Sequence, residues 1–251
     1  MNSQNTRRAF IQASATIGTG LFLFACGRSD NTQSGKQTGE SGPKKDEKEE
    51  EGEVTATEDL MREHGVLRRA LLVYTAAANK LRANPASVPP EAAQKTAKLF
   101  RAFGEDYHEK KLEEPYIFPA VKKAGGPTAG YPDILVVQHD RGREITDYIL
   151  SVTQGAKLGA ANAEPLARAM ESLVLMYQNH AAREDTIVFP AWKKALPEKE
   201  FHEMGEKFEE IEHQQFGEDG FETAVKQIGE IEGMLGLTDI SQFTAPSPPK
   251  A

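Results

Sequence analysis

Cysteine is nearly absent from this chain of 251 residues, which has Cys26 alone. A lone cysteine excludes an intramolecular disulfide and any metal cluster held by several thiolates. Metal chemistry, if present, has to use nitrogen and oxygen donors. Positive charge is also in deficit: 30 Lys and Arg stand against 38 Asp and Glu, a formal net charge of −8. With no basic stripe to offset it, that balance argues against nucleic-acid binding. No run is long and apolar enough to span a bilayer permanently. A Gly-rich phosphate loop, a Ser-His-Asp order and a CxxC pair are all missing, and strand-type alternation is not found. With 39% hydrophobic and 27% charged residues, the expected class is a soluble, globular, all-α domain.

The N-terminus reads as an address. Arg7-Arg8, with Phe10 two positions on and a weakly apolar run after it, resembles a twin-arginine export signal; an ordinary secretory signal is the alternative. Cys26 follows Leu23-Phe24-Ala25, which resembles a lipobox, although Phe24 is an unusual residue there. A diacylated Cys26 would give a membrane anchor. Residues 1–25 are therefore expected to be an export signal. Residues 26–56, rich in Gly, Ser, Lys, Glu and Asp, bury too little apolar surface to offset ordering entropy and read as a disordered linker. The expected location is periplasmic or cell-envelope, with the membrane touched only through the lipid.

Beyond the linker, apolar residues recur at helical spacing. Thr57 is a plausible N-cap for a helix carrying Leu60, His64, Leu67, Leu71, Leu72 and Tyr74, which stops at Asn84-Pro85. A second helix follows Val88-Pro89-Pro90 and carries Phe100, Phe103, Tyr107 and Leu112; a third runs from about 131 to 153; a fourth starts near 163. The spacing predicts an antiparallel up-down-up-down four-helix bundle over 57–195. A more polar C-terminal helix over 196–235, kinked or broken near Gly217–Gly220, and a frayed tail over 236–251 complete the expectation.

A near-repeat carries the chemistry. His108-Glu-Lys-Lys-Leu-Glu113 leads to Phe118-Pro119, and His180-Ala-Ala-Arg-Glu184 leads to Phe189-Pro190; the carboxylate-to-proline interval is six residues in both. His64 and His139 fall on the other two helices, so each helix of the expected bundle offers one histidine. A lone helical histidine is usually a satisfied core or surface residue, but four of them with two carboxylates suit a two-metal centre bridged by carboxylates. His180 and Glu184 stand at i and i+4 and share a helix face. His108 and Glu113 are five apart, about 140° out of phase on an ideal α-helix. A single-turn π-bulge would restore a common face; otherwise Glu109 supplies the carboxylate or His108 is displaced. His202 and His213 sit among charged residues, where a solvated face is the simpler reading.

These phrases, together with Arg62-Glu-His64-Gly-Val-Leu and Gln138-His139-Asp-Arg-Gly, resemble the hemerythrin-like (HHE cation-binding) family across residues 58–235. The resemblance implies a non-haem di-iron centre with His64, His108, His139 and His180 as terminal ligands and Glu113 and Glu184 as bridges. Oxygen-carrying hemerythrins place a second histidine four residues after the first on the third helix, and here that position is Arg143. An i+5 histidine-carboxylate spacing occurs in the family, but on the fourth helix. The implied function is an interaction with O2, peroxide or NO for sensing, scavenging or redox chemistry; the alternative is metal binding or iron handling without turnover. No substrate is named by the sequence, and zinc or manganese would also accept these donors.

Overall fold

The structure, a computed structural model, describes residues 54–155, 158–217 and 220–249. The expected export signal, Cys26 and most of the expected linker lie outside the described residues. The described chain is all-helical, as expected, with no strand. None of its helices is long and apolar enough to cross a membrane.

Helix α1 (Ala56–Ala83) begins two residues before the expected point because Thr55, not Thr57, caps it. The Thr55 hydroxyl accepts from the Glu58 N–H, and the Glu58 carboxylate accepts from the Thr55 N–H at 2.8 Å, a reciprocal capping box. Asn84 and Pro85 end the helix. Of its expected apolar stripe, Leu72 points out to solvent.

Helix α2 (Pro90–Leu99) runs without a break into a π-helical segment, Phe100–Ile117, and then into α3 (Phe118–Ala124). The widened turn expected between His108 and Glu113 is thus present, but it spans 18 residues rather than a single bulge. Helix α4 (Tyr131–Val152) follows, and α5 (Ala160–Arg183) begins three residues earlier than expected. A second π-helical segment, Glu184–Val188, then leads into α6 (Phe189–Ala195). The second repeat is therefore not the regular α-helix its i, i+4 spacing implied. Both repeats share one device: the Phe118 N–H bonds to the Glu113 carbonyl and the Phe189 N–H to the Glu184 carbonyl, each five residues back. Proline follows at once in each case and supplies no N–H to continue a tighter ladder.

The expected C-terminal helix is two, α7 (Glu198–Phe216) and α8 (Gly220–Leu235). Gly217 ends α7 at φ 85, a left-handed conformation that favours glycine. The tail is not wholly frayed, since Asp239 caps a 3₁₀ turn at Ile240–Phe243.

Helix α5 packs on α1 and α4; the first π segment packs on the same two helices; α8 covers α1 and α2. The largest buried side chains are aromatic, among them Tyr74, Phe100, Phe103, Tyr107, Phe189 and Trp192. Among them lie His64, His108, His139 and His180 with Glu63, Glu105, Glu109, Glu113 and Glu184, all buried. Burying that many ionisable groups is costly unless they are paired with one another or with a cation.

Candidate metal centre

The geometry of the centre follows from how each helix presents neighbouring residues. Consecutive residues on an α-helix are about 100° apart. When a ligand points into the middle, the residue beside it in sequence lies at the seam with the next helix. Four such seam residues hold the four imidazoles. Glu63, beside His64 on α1, accepts from His108 Nδ1 at 2.6 Å. Glu114, beside Glu113, accepts from His139 Nδ1 on α4 at 2.9 Å. Gln138, beside His139, accepts through its carbonyl from His180 Nδ1 on α5 at 2.9 Å. Asp185, beside Glu184, accepts from His64 Nδ1 on α1 at 2.7 Å and closes the ring. Carboxylate and amide oxygens are acceptors only, so each Nδ1 carries hydrogen and each neutral imidazole directs its Nε2 lone pair inward.

The two interior carboxylates meet those nitrogens in a crossed pattern. Glu113 Oε1 lies 3.2 Å from His108 Nε2 and Oε2 lies 3.4 Å from His139 Nε2. Glu184 Oε1 lies 3.0 Å from His180 Nε2 and Oε2 lies 3.5 Å from His64 Nε2. Each carboxylate therefore spans from the His64–His108 side to the His139–His180 side. The wide turn makes this possible for Glu113, because in a π-helix five residues come close to one full turn.

With the imidazoles neutral, all four oxygens of Glu113 and Glu184, and His108 Nε2, are buried without a hydrogen-bond partner. His139 Nε2 and His180 Nε2 face each other at 3.1 Å. Unpartnered buried groups like those carboxylate oxygens and His108 Nε2 are rare in a folded core, and a bound cation satisfies oxygen and nitrogen lone pairs alike. The donor set fits a metal: Glu113, His139, His180 and Glu184 converge on one side, and His64, His108 and Glu113 on the other. All six residues singled out from the sequence are thus gathered at one place.

Glu109 is not at that place. It accepts from the Tyr177 hydroxyl at 2.6 Å and from Arg143 at 2.9 Å, on the outer side of His139. The same Arg143 nitrogen donates to Glu114 at 2.6 Å, so Arg143 acts as a clamp on two carboxylates. His202 and His213 are exposed and belong to neither cluster. The phenylalanine of each Phe-Pro pair stacks on an imidazole from another helix, Phe118 on His139 at 5.5 Å and Phe189 on His64 at 5.4 Å between centroids.

Without metal, the centre is a buried network of ion pairs. Burial opposes charge on His108, but Glu113 and Glu63 outweigh it and hold the imidazole well above its ordinary value. Burial opposes charge on His139 too, yet Glu109, Glu113 and Glu114 push it up to about 10. Burial would raise Glu113, but His108 and His139 hold it well below the usual carboxylate range. Protons on the imidazoles occupy the role a cation would take, so metal binding has to release them. Beside the centre is a cavity of about 10 Å³, lined by Leu67, Leu71, Tyr177 and Ala181 and by polar groups of both sides, His64, His108, Glu109 and His180 among them. It has room for about one water-sized molecule.

The anchors Glu63, Glu114, Gln138 and Asp185 were not singled out from the sequence. Their signal is adjacency: each is the immediate sequence neighbour of a candidate ligand.

The family model for the hemerythrin HHE cation-binding domain matches residues 55–192. Uncharacterised proteins of Mycobacterium bovis and Mycobacterium tuberculosis are 42% identical over 242 residues, covering 95% of this chain and 90% of each relative. No solved structure matches the chain.

Proposed function

Because the chain belongs to the hemerythrin HHE cation-binding family, we propose that it is an exported protein whose four inward histidines and two carboxylates hold a pair of non-haem iron ions that interacts with O2, peroxide or NO. The observation carrying this reading is the crossed pairing, in which each of Glu113 and Glu184 presents one oxygen to a histidine on either side. His64 and His108 would hold one ion, His139 and His180 the other, and the two carboxylates would be shared. Bound iron would supply Lewis acidity and one-electron redox chemistry. The chain's own part is to fix the imidazoles through their Nδ1 bonds, to exclude bulk water by burial, and to restrict access by cavity size. Arg143 stands where oxygen carriers have a further histidine, and it clamps Glu109 and Glu114 instead. That leaves fewer imidazoles on the His139 side and favours reactivity over reversible carriage.

We read the helices that carry the ligands as an antiparallel up-down-up-down bundle, with α7 and α8 added on its outside. The N-terminal Arg7-Arg8 and Cys26 support export by the twin-arginine route and lipid anchoring, so the bundle would work in the periplasm or cell envelope. The test is anaerobic Fe(II) loading followed by addition of NO, O2 or peroxide under optical and EPR observation. A new absorption band or iron-nitrosyl signal supports the reading. An inert spectrum with two irons bound would favour metal storage without turnover. Less than about one iron per chain would overturn both.

A further inference from the structure

Helices α7 and α8 lie outside the segment 55–192 that the family model matches, yet α7 touches a residue that supports the centre. Phe216, the last residue of α7, sets its ring edge-on to Tyr107 at 5.1 Å and beside Phe103 at 5.9 Å. Tyr107 is fully buried and donates its hydroxyl to Glu63 Oε1 at 3.0 Å. The other oxygen of Glu63 accepts from His108 Nδ1 at 2.6 Å. We propose that Phe216 is a positioning residue for the metal centre: it fixes the Tyr107 ring, which orients Glu63, which in turn aims His108 Nε2 at Glu113. The inference rests on the reading of His108 as a metal ligand.

Three observations make this more than general packing. The path is short and every link after Phe216 is buried, so displacing one ring has few ways to be absorbed. All four imidazoles are anchored from within the matched segment, by Glu63, Glu114, Gln138 and Asp185, but it is the Glu63 anchor whose own partner, Tyr107, is touched by a ring of α7. The effect should therefore fall on one half of the centre, the side formed by His64 and His108. Finally, α7 and α8 are held by contacts separate from this path. Phe208 stacks on Trp192 at 5.6 Å and lies against Tyr116 at 5.9 Å, and Glu232 accepts from Arg69 Nε at 2.8 Å. Loss of Phe216 need not release the helices.

The test is Co(II) titration of the full chain, followed by calorimetry and visible absorption, with urea unfolding run alongside. Wild type should bind two ions. Phe216→Ala and Tyr107→Phe should each weaken one binding event by up to about tenfold, the lower bound for loss of the Glu63 anchor itself, and leave the other unchanged. Phe216→Tyr should restore most of the loss. Phe208→Ala, which removes a buried ring of the same helix, should lower stability and leave both binding events alone. Should Phe216→Ala fail to fold, Tyr107→Phe decides, since it removes only a hydroxyl. Wild-type affinity at both positions in Tyr107→Phe and Phe216→Ala would overturn the proposal. So would equal weakening by Phe208→Ala. If wild type binds no Co(II), the metal reading itself fails, an outcome distinct from two ions bound alike by all variants.

Discussion

Replacing Glu113 by glutamine preserves its shape and removes the charge that His108 and His139 share. In the metal-free protein His139 is pushed up to about 10 from an ordinary 6.5, against its burial, by Glu109, Glu113 and Glu114. A folded-state value above the unfolded one contributes stability that is fully present below the unfolded value. That contribution is lost as pH rises through the folded value. At pH 7 it amounts to about 4 kcal/mol for His139, taking about 1.4 kcal/mol per unit. Glu113 is one of the carboxylates that raise His139 and also faces His108, so metal-free Glu113→Gln should be less stable than wild type at pH 7 by on the order of 2 kcal/mol. The deficit should shrink as pH approaches 10, where the imidazoles of the wild type lose their protons. With metal, the variant would lack the oxygen pair proposed to serve both positions, and it should retain at most one ion. Glu109→Gln should still bind two, because Glu109 faces Tyr177 and Arg143 rather than the interior nitrogens. Urea unfolding of the metal-free proteins and metal analysis after reconstitution measure both effects. Two ions in Glu113→Gln together with loss in Glu109→Gln would refute the assignment of the bridge.

Asp185→Ala removes the acceptor of His64 Nδ1, and metal affinity measured by chelator competition should fall between about tenfold and a hundredfold. Burial pushes Glu105 up to about 7 even though Thr146 donates to it, so its folded-state proton is held above the unfolded range. The stability this confers is present below about 4.5 and is lost as pH rises through 7. Glu105→Gln should therefore gain between about 2 and 3 kcal/mol on wild type from pH 5 to pH 8, and a flat difference in urea unfolding would count against it. A Cβ on Gly142 would lie 2.3 Å from the Tyr177 hydroxyl oxygen. Gly142→Ala should consequently cost about 1–3 kcal/mol in thermal unfolding and displace Tyr177 from Glu109. Cys26→Ser should move the protein from the membrane fraction to the soluble fraction of its native host, with loss of metabolic palmitate labelling. Unchanged fractionation would remove the anchor.

The helices and the inward residues were legible because both obey local rules. Helical spacing placed His64 with Leu60 and Leu67, and all three are buried; the five-residue gap between His108 and Glu113 signalled a widened turn. The length of that turn was not legible, nor was its counterpart at Glu184–Val188, since the i, i+4 spacing of His180 and Glu184 already fits an α-helix. Non-local partners were harder still. Glu63 holds His108 and not its own neighbour His64, and nothing in the sequence of α1 tells which helix packs against that edge. Arg143 likewise reads as a missing histidine until its contacts with Glu109 and Glu114 are seen. Glu109 and Glu113 were alternatives in sequence because both are carboxylates near His108. Only the rotation of the π segment separates the one aimed inward from the one aimed at Tyr177.

The central claim, two cations sharing two carboxylates, is tested most directly by a crystal structure of the Fe(II)-loaded chain with anomalous difference maps at the iron edge. Two peaks are predicted, one held by His64 and His108, the other by His139 and His180, with Glu113 and Glu184 in contact with both. A single peak, or iron bound by Glu109 and Glu114 on the outer side of His139, would contradict it.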